Sequence, residues 1–204
     1  MKLKSILWAS FLVLCMASAS LLVGMRGSTA KPPLQGFTLY ITQTAYPSDR
    51  APFLSATKIR QQKADGSWKV QTSYRYGRID IGYGEPGRGV FAVDEKNQKL
   101  EYLSGSSARP LADVVWPIQP GYAGEETILG YRTYRIHWEN NATGEYSDTY
   151  MCPALQGYPL RMVTGGPRSK TVHEAIQVVL GEPDFEAAPN LPVSTKRFEE
   201  KMKP

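Results

Sequence analysis

From Gly36 onward the chain alternates apolar and polar residues with a period of two: Phe37, Leu39 and Ile41 share one side of an extended segment, and Thr38, Tyr40 and Thr42 the other. A half-buried β-strand requires this pattern. Ala64-Asp65-Gly66-Ser67 then separates a run ending at Lys63 from one starting at Trp68, and Asp-Gly is the turn signal of a β-hairpin. Beyond it, Trp68, Val70 and Tyr74 oppose Lys69, Gln71, Ser73 and Arg75, so Trp68 is expected in the core. Further strands are predicted over Arg78–Tyr83, Gly89–Asp94 and Lys99–Leu103, with Glu95-Lys96-Asn97-Gln98 as a polar turn.

The rhythm breaks between Ser104 and Gly124, where Leu111, Val114 and Val115 suggest one short helix. It resumes over Tyr131–Trp138, Glu145–Cys152, Pro159–Thr164 and Thr171–Leu180. Strand follows strand without an intervening helix, which implies antiparallel pairing, because a parallel pair needs a long crossover. The expected fold is mostly β, with α+β as the alternative: an antiparallel, incomplete β-barrel of about nine or ten strands with one or two short helices.

Composition agrees with that class. Among 204 residues there are 18 Gly, 15 Pro and 12 Tyr, which favours turns and aromatic-rich strands. Ahead of the strands, Lys2 and Lys4 precede an uncharged run from Ile6 to Met25, and Ala17-Ser18-Ala19 offers the small-residue pattern of a cleavage site. Residues 1–19 read as an export signal, or 6–25 as a retained membrane anchor, with lipidation at Cys15 as a third possibility. Residues 20–35 then form a linker, 36–190 the β domain, and 191–204 a tail or short helix over Thr195–Lys203. The expected location is exported: periplasmic, or anchored and facing the periplasm or the exterior.

Charge adds little. Cleavage after Ala19 removes Lys2 and Lys4 and lowers the formal net charge from +5 to +3. Lys58, Arg60, Lys63, Lys69, Arg75, Arg78 and Arg88 concentrate basic charge in one third of the chain; they read as solvated strand faces, or as an attraction for anionic lipid or polyanions. No recognition helix or RNA-type aromatic motif accompanies them, so no nucleic-acid partner is expected.

Candidate chemistry is sparse. Gly82-Tyr83-Gly84-Glu85-Pro86-Gly87 matches G-x-G-x-x-G, but a dinucleotide site needs a helix N-terminus after the glycines, and Pro86 with a strand-like run follows instead. His137 and His173 lie on separate predicted strands and converge on no metal set or hydrolytic triad. No cofactor, metal ligand or catalytic residue is therefore nominated. Cys152, alone once the signal is removed, reads as a small buried hydrophobe or a reactive thiol. Asn141-Ala142-Thr143 fits a glycosylation sequon that matters only in a eukaryotic secretory context. Glu174 shares its alternation with Val172, Ile176, Val178 and Leu180; it reads as a polar group inside a ligand cavity, or as a rim residue or cross-strand partner of a Lys or Arg.

A family resemblance adds to this. Gly124-Glu125-Glu126-Thr127-Ile128-Leu129-Gly130-Tyr131 with Arg135, then Pro153-Ala154-Leu155, Pro159-Leu160-Arg161-Met162 and Leu180-Gly181-Glu182-Pro183-Asp184-Phe185, resemble exported bacterial proteins of the lipoprotein-carrier-like half-barrel group, the LolA, LolB and RseB-like proteins. The resemblance implies an incomplete antiparallel barrel around an apolar cavity. The expected function is then a non-catalytic envelope protein that binds a lipid, an acyl chain or another apolar ligand. Its partners would be a lipid or lipid-modified protein, or a second envelope protein. The residues expected to line the cavity are Phe37, Leu39, Ile41, Trp68, Val70, Tyr74, Tyr134, Ile136 and Trp138, with Glu174 as the polar member; the same apolar set equally describes a closed core. An interaction or sensor module of the envelope is the alternative, and an exported hydrolase with strand-borne carboxylates a third.

Overall fold

The structure, a computed structural model, describes residues 34–94, 96–104 and 114–194. The expected export segment, most of the expected linker, Leu111 to Asp113 of the expected helix and the whole Thr195–Lys203 segment lie outside the described residues.

The strands run β1 (Phe37–Pro47), β2 (Phe53–Gln62), β3 (Trp68–Tyr74), β4 (Ile79–Glu85), β5 (Gly89–Asp94) and β6 (Lys99–Ser104) in the first half. The second half holds β7 (Tyr122–Ile128), β8 (Tyr131–Asn140), β9 (Glu145–Cys152), β10 (Tyr158–Gly166), β11 (Ser169–Leu180) and the short β12 (Val193–Ser194). All belong to one sheet, in the order β12-β6-β5-β4-β3-β2-β1-β11-β10-β9-β8-β7. Two hairpin meanders thus meet at the β1–β11 ladder, which is antiparallel over the length of both strands. The sheet is mostly antiparallel, as expected, and it is open, with β12 and β7 at its edges.

The strand count needs correction. The sheet has twelve strands rather than nine or ten, because β7 and β12 are added. β12 is two residues long and pairs in parallel with Leu100 and Glu101, too short to leave a periodic signal. β7 is largely exposed and carries Glu125 and Glu126, and its hairpin to β8 turns on Leu129 (φ 51°) and Gly130 (φ 81°). Positive φ at both central residues marks a type I′ turn, a position that favours Asn or Asp and that Leu does not announce. Among the described residues, moreover, there is no α-helix, only two 3₁₀ turns at Trp116–Ile118 and Pro153–Leu155. Val114 and Val115 lead into the first of them as extended chain, since Pro117 favours the start of a helical turn but nothing follows to propagate it.

Among the described residues the sheet buries its surface in two ways. Around β1, Phe37, Leu39, Ile41, Ile128, Cys152, Leu155, Leu160 and Ala175 form a core, with Tyr131, Tyr150, Tyr158 and Val178 packed against it. The sheet curls toward the face of Phe37, Leu39 and Ile41, since Arg60 of β2 reaches the Tyr158 ring of β10 across β1 and β11. A second core lies at β4, β5 and β6, where Tyr83 opposes Phe91, Phe91 opposes Tyr102, and Val93 opposes Leu100. Tyr83 alternates with Gly82 and Gly84, so this core occupies the reverse face. The chain after β11 covers it with Ala188 and Leu191, held by Ala188 N donating to Glu85 Oε1 (2.8 Å) and Leu100 N donating to Pro192 O (3.0 Å).

Candidate functional site

Directly opposed residues of antiparallel neighbours put their side chains on the same face, so register alone traces a face across the sheet. From the buried Phe37, Leu39 and Ile41 of β1 it passes to Gln62, Arg60 and Lys58 of β2, and on to Trp68, Val70 and Thr72 of β3. One step along, Gln43 opposes Ala56, and Ala56 opposes Tyr74. In the other direction Gln43 opposes His173 of β11, which opposes Met162, then Thr149, then Ile136 of β8. Tyr134 and Trp138 flank Ile136 on the same side by alternation. Every apolar residue of the expected cavity wall therefore lies on one face.

That face is not uniform. Phe37 and Leu39 are 0 % exposed and Ile41 6 %, so this part is packed core. Tyr74, at one border, is exposed, and Trp138, at the other, is 55 % exposed. Tyr134, Ile136 and Met162 are half-buried between the core and Trp138. Trp138 lines an open groove of about 640 Å³ together with Ser147, Thr164 and Thr171, which cross-strand register places on the same face. The expected residues thus divide into a closed part, the stack around Trp68, and an open part on β8 to β10.

Glu174 is on the opposite face. In β11 Ala175 opposes Ile41 and Gln177 opposes Tyr40, leaving Ile176 as an extra, bulged residue. The bulge shifts the alternation, so Val178 and Leu180 continue the face of Ala175 rather than that of Glu174. Of the two readings of Glu174, the cross-strand pair is what forms: Arg161 opposes it, and the guanidinium Nε and Nη2 donate to Glu174 Oε1 at 2.9 and 2.6 Å. Arg161 Nη1 also donates to Glu126 Oε1 (2.6 Å). Nearby, Arg135 Nε donates to Asp148 Oδ1 (2.8 Å), and His137 Nδ1 lies 2.9 Å from the same oxygen. Burial pushes the Asp148 carboxyl up, but the hydrogen bonds from Arg135 and His137 prevail and hold it below the usual range.

Two cations, by contrast, point onto the apolar face. Lys58 and Arg60 have the sequence appearance of solvated residues, but the alternation of β2 turns Ile59 outward and both cations inward. The only sequence hint is their spacing with Gln62. Lys58 Nζ lies 3.1 Å from His173 Nδ1 and, among the described residues, is paired with no carboxylate. Burial, and then the Lys58 charge, lower the His173 pKa to about 4, while burial also lowers that of Lys58.

This predicts a pH dependence. Unfolded His173 titrates near 6.5 and folded His173 near 4, so between these values the unfolded chain binds more protons and stability falls as the pH falls. The loss would be about 3 kcal/mol for a fully buried ring, and roughly 1–2 kcal/mol for one this open to solvent. Urea titrations at pH 7 and pH 4 should show this loss in the natural chain and its absence in His173→Gln. Equal losses in both would remove the assignment.

The remaining candidates are structural. His137 and His173 are bonded to Asp148 and Lys58, not to each other or to a hydroxyl or thiol, and no group of acidic, His and Cys residues suited to a metal occurs among the described residues. Cys152 is fully buried, and burial raises its pKa, which disfavours the reactive thiolate. The G-x-G of Gly82-Tyr83-Gly84 supports packing: Trp68 opposes Gly84, and its ring lies where a Cβ on Gly84 would be.

No protein-family model matches the chain, and no curated protein matches it. Among solved structures the chain is similar to a LolA superfamily protein of Nitrosomonas europaea, at 11 % identity over 76 % of this chain and 89 % of that one, with a TM-score of 0.41. It is also similar to LprF of Mycobacterium bovis, at 12 % identity over 76 % and 90 %, TM-score 0.36. A third is the MucA/MucB complex of Pseudomonas aeruginosa, at 10 % identity over 78 % of this chain and 54 % of that one, TM-score 0.44; the chain spans about half the length of that protein.

Proposed function

We propose that this chain is a non-catalytic binding protein of the cell envelope, exported by its N-terminal segment, that takes the apolar part of a lipid or other amphiphile on the open half of its curled face. The observation that carries the reading is Trp138: 55 % exposed, on the same face as the half-buried Tyr134, Ile136 and Met162, and beside a groove of about 640 Å³. An aromatic ring left in water next to apolar neighbours loses the free energy that covering it would provide, and a ligand recovers it. The hydroxyls of Ser147, Thr164 and Thr171 offer hydrogen bonds to a polar linkage.

Titration of the natural chain with dodecanol or a lysolipid should shift tryptophan emission to the blue, saturably. Trp138→Ser should weaken binding by about tenfold or more while changing the unfolding free energy by under about 0.5 kcal/mol, because an exposed ring contributes little to the fold. Unchanged affinity in Trp138→Ser would place the ligand elsewhere or remove it. A second reading, an interaction module, draws on the reverse of the sheet, where Tyr40 opposes Ile59 and Thr38 opposes Val179, with Tyr40, Ile59 and Val179 all exposed. Capture of an envelope protein that is lost on Ile59→Glu, without lipid binding, would favour it.

A further inference from the structure

Arg60 is 8 % exposed, and its guanidinium lies between two rings, 4.2 Å from the Trp68 centroid and 4.5 Å from that of Tyr158. Its Nη2 donates to Gln62 Oε1 (2.7 Å), but its Nε is buried without an acceptor, and so is the indole Nε1 of Trp68. Among the described residues no carboxylate bonds to Arg60. Elsewhere the sheet pairs its arginines freely: Arg78 with Asp80, Arg88 with Glu85, Arg132 with Glu125, Arg135 with Asp148, and Arg161 with Glu174. Arg60 is the more deeply buried cation, in the place where a missing counter-charge costs most. Cation–π contacts with Trp68 and Tyr158 offset part of that cost but satisfy neither orphan N–H.

We propose that Arg60 and Trp68 form an anion site in which an oxygen of a carboxylate or phosphate group accepts hydrogen bonds from Arg60 Nε and Trp68 Nε1. The site supplies the headgroup end of the apolar-ligand reading, on which it rests: the ligand class becomes an anionic amphiphile. A guanidinium without a counter-charge selects an anion over a neutral acceptor, because a charge-assisted bond is the stronger and removes the buried net charge. The aromatic walls of Trp68 and Tyr158 suit the first carbons of an acyl chain better than a hydrated ion. Trp68 also lines a cavity of about 410 Å³ with Lys63, Asp65, Tyr83, Glu85 and Phe185, so an anion that approaches from this side meets two carboxylates as well as the Lys63 ammonium. On the other side the stack is closed by Gln156, which accepts from Gln62 Nε2 (3.2 Å) and donates to Gln35 O and Lys63 O (3.1 and 3.0 Å).

The test uses the full chain with four probes: dodecanoate, dodecyl phosphate, dodecanol and inorganic phosphate, read by tryptophan emission and by the shift of the urea midpoint. The natural chain should bind the two anionic amphiphiles about tenfold or more tighter than dodecanol. Arg60→Met should remove that preference, leave dodecanol binding in place, and leave the unliganded fold at least as stable, since it deletes a buried unpaired charge. Trp68→Phe, which removes the indole N–H together with the five-membered ring but keeps an aromatic face, should lower anion affinity several-fold and decides the matter should Arg60→Met fail to fold. Equal binding of dodecanoate and dodecanol by the natural chain overturns the anion site and leaves the apolar reading intact. Arg60-dependent binding of inorganic phosphate as tight as that of dodecyl phosphate supports the anion site and assigns it to a free ion. Binding of none of the four overturns both.

Discussion

Alanine at position 84 is expected to lower the unfolding free energy by about 3 kcal/mol, one of the largest effects of any single methyl group in this chain. Gly84 opposes Trp68 across the β3–β4 ladder, and a Cβ there would fall within the indole, against Nε1 and Cε2. The ring cannot yield easily, because the Arg60 guanidinium lies over its other face and Tyr158 beyond that. Gly82 is less constrained: a Cβ would meet Val70 Cγ1 at 3.3 Å and the indole Cζ3 at 3.6 Å, so Gly82→Ala should cost less. Gly77, with φ of 84° and nothing within 4 Å of an added methyl, is the control for backbone strain alone and should cost about 1 kcal/mol. Urea denaturation of the three variants, followed by tryptophan emission, orders them; Gly84→Ala as stable as the natural chain would mean that the indole is not wedged between Arg60 and the glycine strand.

Leu39→Ala is expected to cost about 3 kcal/mol, within the range for truncating a fully buried leucine. Leu39 is 0 % exposed, flanked on its strand by Phe37 and Ile41 and enclosed with Ile128, Leu155, Leu160 and Ala175. The result matters because the sequence groups Leu39 and Trp138 as one cavity wall. A ligand cavity around Leu39 would tolerate the truncation, since a space already open to a ligand has little packing to lose; a packed core would not. A large loss for Leu39→Ala beside a negligible one for Trp138→Ser would exclude the ligand from the core around Leu39. A loss under about 1 kcal/mol for Leu39→Ala would mean the core is hollow.

Much of the fold is legible in the sequence because period-two alternation survives in strands with one buried face. Phe37, Leu39 and Ile41, the Asp65-Gly66 hairpin and the strands Gly89–Asp94 and Glu145–Cys152 stand in the structure where the alternation puts them. Alternation fails where the chain breaks the count. The bulge at Ile176 moves Glu174 to the other face, and no residue type marks such a bulge in advance. The left-handed Leu129 conceals the turn that makes β7 a strand. The site is half legible: the sequence places Tyr134, Ile136 and Trp138 on one side of a strand, but only cross-strand register shows that this side continues to Trp68 and Phe37. Lys58 and Arg60 are hidden for a physical reason, because inward-facing cations contradict the hydrophobic pattern on which strand reading depends.

The most direct test of the binding account is native mass spectrometry, with lipid extraction, on the full chain expressed with its N-terminal segment and purified from a membrane-exposed compartment. The account predicts a stoichiometric co-purified amphiphile in the natural chain, lost in Trp138→Ser although that variant unfolds at the same urea midpoint. A clean unliganded mass that also rejects added fatty acids and lysolipids would contradict it.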